Sequence, residues 1–458
     1  MTFDGNASDW RIMRISVTDF RCFHIANDIN VRPINILVGE NSAGKSSFLS
    51  AVRFLLDLFR EDAKATFNRD PFYLGSYEQI AHYRGGRFGR AKEFGFSFTD
   101  RVDLPHLERR QRLFDRIDLV EQLPEEQSTD ISFFNNRSQP AISDITFKCG
   151  PFGFSASLKD QISLKIFGPG IVLDIPTKRV RGYDPLIYDL SFVEFLIRDG
   201  RFLLRGPDAD RSPHDTLLGF VYDLYQSAKR TLPREVVASA PVRSKPSRTY
   251  NPGESIPAAD GEHIPFVLSQ IKEFDKELWT EVARTLTQFG KASGLFEAVN
   301  VKRLSNTESG PFQLVVSSGG SKSNIIDVGY GVSQCLPILT DLIRAPARSL
   351  FLLQQPEVHL HPKAQAELAT FFTQIVKRKH HTLFVETHSD HLIDRMRTEA
   401  RDGAFRPEDI SILYFHRKGH DVKIHSLTLD GKGNIQGAPP SYRQFFLTEE
   451  LRSLGVKS

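Results

Sequence analysis

The residues with the most evident chemistry are Gly39-Glu40-Asn41-Ser42-Ala43-Gly44-Lys45-Ser46-Ser47, which fit the pattern G-x-x-x-x-G-K-[ST]. Gly39 and Gly44 let the backbone turn its N–H groups inward, as a loop wrapped around phosphate oxygens must. Lys45 offers a cation to the outer phosphates, and the Ser46 hydroxyl offers a hard oxygen ligand for Mg²⁺. Asn41, Ser42, Ala43 and Ser47 complete the cradle. The pattern has this meaning only between a buried strand and a helix. Pro33-Ile34-Asn35-Ile36-Leu37-Val38 reads as that strand, and Phe48, Leu49, Val52, Leu55, Leu56 and Phe59 follow at helical spacing. The loop is expected to hold a nucleoside triphosphate rather than to serve as a structural glycine turn.

Three further stretches carry candidate chemistry. Gly329-Tyr330-Gly331-Val332-Ser333-Gln334 opens a helical run through Leu336, Ile338, Leu339 and Leu342. It reads either as a second phosphate-receiving helix start, with Gly331, Ser333 and Gln334 in contact, or as a serine-capped turn. The apolar run Leu350-Phe351-Leu352-Leu353 ends in Gln354-Gln355-Pro356-Glu357-Val358-His359-Leu360-His361-Pro362, and Thr382-Leu383-Phe384-Val385 ends in Glu386-Thr387-His388-Ser389. Polar residues at the carboxyl ends of buried strands mark the ligand edge of an α/β sheet. Glu357 is either a catalytic carboxylate or a cap for the next helix. His359 and His361 have ligand-like spacing, or they are contact residues. Arg21, just after Phe20, either reaches the nucleotide or is solvated.

These residues need a sheet to position them. Residues 14–23 and 25–31 alternate as a hairpin leading into the glycine loop. Residues 70–79 are turn-rich, and Arg84-Gly85-Gly86-Arg87-Phe88-Gly89-Arg90 is a basic loop, read as a hairpin tip or a grip on nucleic-acid phosphates. Phe94, Phe96 and Phe98 signal a half-buried strand. Short alternating runs over residues 141–175 suggest a β-rich insert, followed by helical spacing at 217–228 and 264–289. A basic, proline-laden loop lies between them at residues 241–252. Strands are expected at 312–316, 324–328, 412–415 and 422–429, and a short helix at 442–454. No sustained heptads occur, so long coiled-coil arms are not expected.

A chain of 458 residues is too long for one ordinary core. With 25% charged and 40% hydrophobic residues it reads as a soluble globular protein, and it lacks the run of about 18 apolar residues that a membrane helix needs. The polar start of the chain fits no targeting segment. Cys22, Cys149 and Cys335 are too dispersed for a disulfide framework or a zinc site, which favours the cytoplasm. A net charge of +3 does not by itself argue for nucleic acid.

The order of these motifs resembles the ATP-binding-cassette (ABC) class of ATPases, in the branch holding SMC, RecF and the overcoming-lysogenization-defect proteins. By that resemblance residues 39–47 are the Walker A loop, 329–334 take the signature position, 350–355 the Walker B position, and His388 is the switch histidine. Gln-Pro-Glu-Val-His-Leu-His-Pro, Gly-Tyr-Gly-Val-Ser-Gln and the tail Tyr-Arg-Gln-Phe-Phe look closer still to stand-alone AAA-type ATPases of bacterial anti-phage and retron-linked systems, such as those of Septu and PARIS. The implied fold is α/β: a P-loop ABC-type head with a mixed sheet, an N-terminal antiparallel hairpin and a β-rich, then helical, insert. The implied division is an N-terminal lobe (1–100), the insert (101–290) and a C-terminal lobe (291–458). After His388 no acidic cluster suits two Mg²⁺ ions, so no TOPRIM nuclease is expected on this chain. The cofactors implied are ATP and Mg²⁺. The partners implied are a second copy, or a larger homo-oligomer, through ATP-sandwiched heads, and an effector nuclease; nucleic acid is left open and a membrane is not expected.

One departure bears on catalysis. Where such ATPases carry two acids, this chain has Gln354 and Gln355. An amide can ligate Mg²⁺ (Gln354, beside Ser46) or orient a water (Gln355), but it cannot accept the proton. Since general acid–base help is worth about 10² to 10⁴ in rate, hydrolysis is expected to be slow unless Glu357 or Glu386 substitutes. The catalytic candidates are Gln355, Glu357 and His388. Three functions remain in view: a nucleotide-switched ATPase acting with an effector in phage defence, a RecF-like DNA-binding repair ATPase, and a scaffold that holds ATP structurally.

Overall fold

The computed structural model describes residues 13–60, 65–86, 89–112, 117–121, 123–159, 162–175, 213–251, 256–305 and 310–442, with positions 190, 193, 194, 197 and 253. Part of the basic loop (87–88), position 252, the polar start of the chain and all but the first residue of the expected tail helix lie outside them.

The chain lays down β1 (Met13–Phe20) and β2 (Phe23–Val31) as an antiparallel hairpin, then β3 (Ile34–Gly39) and the helix Lys45–Leu58. Two short strands follow, β4 (Asn68–Arg69) and β5 (Phe72–Tyr73), and then β6 (Glu93–Arg101), which pairs with β1. The next five strands are β7 (Glu126–Asn136), β8 (Gln139–Cys149), β9 (Phe152–Ser157), β10 (Ser163–Gly168) and β11 (Ile171–Ile175). They extend this sheet into eight antiparallel strands in the order β11-β10-β9-β8-β7-β6-β1-β2. Alternation along β6 and β7 puts Phe94, Phe96 and Phe133 on its inner face. There they meet Phe54 of the helix Lys45–Leu58 and Phe67, with Phe54 and Phe67 stacked at 3.7 Å and Phe94 and Phe133 at 5.0 Å. Each such ring pair is worth about 0.5–1.5 kcal/mol beyond its area burial. Together they fix the helix that follows the glycine loop.

The helix Pro213–Thr231 leads to β12 (Val236–Ser239), and β13 (Ala298–Arg303), β14 (Phe312–Ser318) and β15 (Ser321–Asn324) form a small antiparallel sheet. The remaining strands are β16 (Leu350–Gln354), β17 (Thr382–Glu386), β18 (Ile410–Lys418), β19 (Asp421–Leu429) and β20 (Ile435–Gln436). They join β3 and β12 in a seven-stranded sheet ordered β12-β16-β17-β3-β18-β19-β20. It is parallel from β12 to β18 and antiparallel beyond.

The central strands are mostly apolar because both of their faces are covered. Leu37, Leu350, Leu352 and Phe384 pack toward Phe48 and the antiparallel sheet. Ile36, Val38, Phe351, Leu353 and Val385 pack under the helices Tyr330–Arg344, Pro362–Lys379 and Asp390–Arg401. The one polar residue inside β3, Asn35, is fully buried, and its amide donates to Arg32 O and Leu383 O. The register Gln354↔Glu386, Glu386↔Leu37 and Phe415↔Gly39 brings the carboxyl ends of these strands together.

Two local expectations change. The strand expected at 324–328 ends at Asn324, whose side chain accepts from the Ile326 N–H and starts a 3₁₀ turn over Ile325–Asp327; a local side-chain bond displaces the ladder. The helical run at 264–289 is two helices, Ile264–Phe274 and Lys276–Ser293. They break at Asp275, whose carboxylate accepts from Leu278 N–H at 2.9 Å and caps the second.

Candidate functional site

The loop between β3 and its helix has the conformation that its glycines make possible. Gly39 has φ 144°, and a Cβ there would lie 2.5 Å from Phe415 O. Gly44 has φ 90°, and a Cβ there would lie 2.4 Å from Cys22 Sγ. Both positions therefore require glycine. Lys45 is 3% exposed, and its Nζ donates to Gly39 O at 3.0 Å and Glu40 O at 2.9 Å, holding the loop closed on itself. Burial pulls its pKa down, and Glu386 opposes that shift from 4.0 Å. Ser46 Oγ donates to Glu386 Oε2 at 3.0 Å. Asn41, Ser42 and Ser46 are exposed along the loop, Ser47 is half-buried and Ala43 is buried. No acidic residue occupies the first turn of the helix, so its positive end is unopposed there.

The loop borders a cavity of about 470 Å³. The opposite wall comes from the antiparallel strands. Arg21, in the β1–β2 turn with φ 54°, donates to Gln79 O at 3.1 Å, and Arg417 at the end of β18 donates to Ser42 O at 2.5 Å. Tyr83 is flanked by the Arg90 guanidinium at 5.2 Å and, edge-on, by the His420 ring at 5.3 Å. Among the described residues the cavity is lined by the cations Arg21, Lys45, Arg90 and Arg417 and by one carboxylate, Glu386. Such a balance suits a polyanion with one aromatic end.

Beside the cavity the end of β16 makes a tight turn. Gln354 is 6% exposed and pairs in register with Glu386. Gln355 has φ 44°, and its N–H donates to Glu386 O at 2.8 Å. Glu357 is 6% exposed; its Oε1 accepts from His388 N–H at 2.9 Å, and its Oε2 has no partner among the described residues. The His388 side chain is held toward its neutral form by partial burial and by Lys45. Glu357 is not the cap of the following helix: His361 Nδ1 accepts from Lys363 N–H and fills that role. His359, with φ 65°, packs edge-on against Tyr330 at 5.0 Å. Among the described residues no group of three or more His, Cys, Asp or Glu could hold a metal by itself.

Sequence reasoning passed over Arg243. It lies in the loop read as merely basic, yet it is 2% exposed, and its Nη2 donates to Gln354 O at 3.1 Å and Gln355 O at 3.3 Å. Its Nε and Nη1 have no partner among the described residues, and burial pushes its pKa down to about 10. The available signal was its place just beyond β12, whose pairing with β16 sets it against this turn.

Gly331, Ser333 and Gln334 are not brought to the glycine-loop cavity. They sit in the first turns of the helix Tyr330–Arg344, where Ser333 Oγ donates to Tyr330 O at 2.8 Å and Gln334 is buried, its amide nitrogen without a partner among the described residues. Ser333 borders a second cavity of about 340 Å³ with Tyr250 and Phe266.

A family model described as "AAA domain, putative AbiEii toxin, Type IV TA system" matches residues 34–138 and 195–394. No curated protein matches the chain. Among solved structures, an SMC head bound to the C-winged helix domain of ScpA aligns with a TM-score of 0.42 at 13% identity, over 92% of this chain and 98% of that one. The SMC head domain from Thermotoga maritima aligns with a TM-score of 0.39 at 10% identity, over 91% and 98%. The Pyrococcus furiosus Smc head domain with an extended coiled coil, bound to the C-terminal domain of ScpA, gives 0.38 at 12% identity, over 96% and 100%. No helix among the described residues is long and apolar enough to cross a membrane.

Proposed function

The chain belongs to this AAA-domain family, and on that premise we propose that it is an ATP-binding, slowly hydrolysing ATPase of the ABC type that switches between nucleotide states to control a partner. The observation that carries this reading is the glycine loop itself. Its two obligatory glycines, buried lysine and helix start face a cavity with four cationic side chains. Backbone N–H groups and Lys45 would take the phosphates, Arg21 and Arg417 would flank them, and the Tyr83–Arg90 wall would receive the base.

The oxygen donors Ser46, bonded to Glu386 from the helix start, and Gln354, in register with Glu386 on the neighbouring strand, fit a hard cation such as Mg²⁺. When bound, Mg²⁺ would neutralise charge on the phosphate oxygens. Gln355 would orient the attacking water, and Glu357, with one carboxylate oxygen free, would accept its proton. His388, tied through its backbone to Glu357, would report on the phosphate end. With amides at both Walker B positions, turnover is slow.

The Gly331–Ser333–Gln334 turn lies away from the glycine loop of its own chain, which is compatible with each turn facing the loop of a second copy across sandwiched ATP. The family description names a toxin of a toxin–antitoxin system. Together with the resemblance to anti-phage ATPases, it favours an effector, such as a nuclease, as the controlled partner. A second reading, a scaffold that holds ATP without turning it over, is favoured by Gln354 and Gln355 alone. Mass measurement by light scattering with and without ATP, alongside phosphate release, separates the two. A mass that rises with ATP and falls as phosphate appears supports the switch; a fixed ATP-loaded mass with no phosphate supports the scaffold.

A further inference from the structure

The cavity at the ends of β3, β16 and β17 is lined by one carboxylate among the described residues, and it stands one strand away from the position that the resemblance assigns to acids. The end of β16 carries Gln354, while β17 ends on Glu386, and the register sets the two side by side. Glu386 is 7% exposed, so its carboxylate needs a strong partner.

We propose that Glu386 is the carboxylate that holds the divalent cation of the bound nucleotide, the acid having moved from the end of β16 to its neighbour β17. This rests on the reading of the glycine loop as an ATP site. The main alternative is a counter-ion for Lys45, and the geometry disfavours it. Lys45 Nζ makes its close bonds to the carbonyls of Gly39 and Glu40, and it stands 4.0 Å from Glu386 Oε1. The close bond of Glu386 is instead to Ser46 Oγ, at 3.0 Å. The hydroxyl at that point of a glycine loop is the cation's protein ligand, so an oxygen bonded to it already shares the cation's space.

The donor chemistry agrees. A Ser46 hydroxyl, a Glu386 carboxylate and a Gln354 amide oxygen are all hard, and Mg²⁺ is commonly held by one or two carboxylates with phosphates and waters completing its shell. Without Glu386 the cation would meet no negative group among the described residues that line this cavity. One carboxylate is also too little to hold a cation alone, so metal and nucleotide bind together. Gln354 facing Glu386 leaves room for the charge on either strand end, but only one of the two positions carries it.

The test is an equilibrium ATP titration of the full chain in Mg²⁺ and in EDTA, on wild type, Glu386→Gln and the exchange Gln354→Glu with Glu386→Gln. Wild type is expected to bind ATP more tightly with Mg²⁺. Glu386→Gln, which keeps the shape, is expected to match wild type in EDTA and to lose about tenfold or more of the Mg²⁺-dependent gain. The exchange is expected to recover part of that gain by returning the charge to the facing strand. A Glu386→Gln protein that keeps the whole Mg²⁺ gain overturns the proposal. If wild type binds no ATP in either condition, the ATP reading falls, and this proposal with it.

Discussion

The Glu357 carboxylate accepts the backbone N–H of His388 at 2.9 Å, tying the turn after β16 to the loop after β17. One oxygen is committed to that tie, and the other is buried with no partner among the described residues. An acid held in place at one end and open at the other is equipped to take a proton from a water beside it.

Glu357→Gln tests that role. The amide oxygen can still accept the His388 N–H, so the loop tie survives while proton acceptance is lost. Phosphate release is expected to fall by about 10² to 10⁴, with ATP affinity unchanged, as read by single-turnover kinetics beside a binding titration. An unchanged rate would remove Glu357 from the mechanism.

Arg243 is expected to hold the Gln354–Gln355 turn. Arg243→Met fills much of the same volume but leaves both carbonyls without their donor. Hydrogen bonds to a charged group are worth about 1.5–3 kcal/mol each, while the lowered pKa of Arg243 shows that its burial is not fully offset. A net loss of about 2 kcal/mol follows, measured by the denaturant midpoint at constant slope. A variant as stable as wild type would show that the turn holds itself.

Much of this site was legible from spacing alone, and the rest was not, for a physical reason. The glycine loop and the strands β3, β16 and β17 announce themselves because a loop around phosphate and a strand covered on both faces leave local patterns. Arg243 reaches carbonyls more than a hundred residues away, and Ser46 meets Glu386 across 340 positions. No periodicity records such pairs. For the same reason the alternating runs of residues 141–175 read as strands, while their joining through β7 to β6 and β1 did not. Asn324 and Asp275 redirected their segments by single side-chain bonds, which propensity over a window averages away.

Stability is expected to fall with acid through His381. This side chain is fully buried; its Nε2 donates to Leu342 O at 3.0 Å, and its Nδ1 has no partner among the described residues. Burial lowers its pKa from 6.5 to about 4. Between those values the unfolded chain binds a proton that the folded chain does not, so stability rises with pH across this window and is fully present above 6.5. The contribution is on the order of 3 kcal/mol. Denaturant midpoints from pH 4 to 7 should show a steeper slope for wild type than for His381→Gln; parallel slopes would exclude this histidine.

The central claim is that the loop from Gly39 to Ser47 grips ATP, and calorimetric titration of ATP into wild type and Lys45→Ala tests it most directly. With circular dichroism matched between the two proteins, wild type is expected to bind and Lys45→Ala to show no measurable heat of binding. Equal ATP affinity in both would contradict the account, because the lysine buried at the heart of the loop would then have no part in holding phosphate.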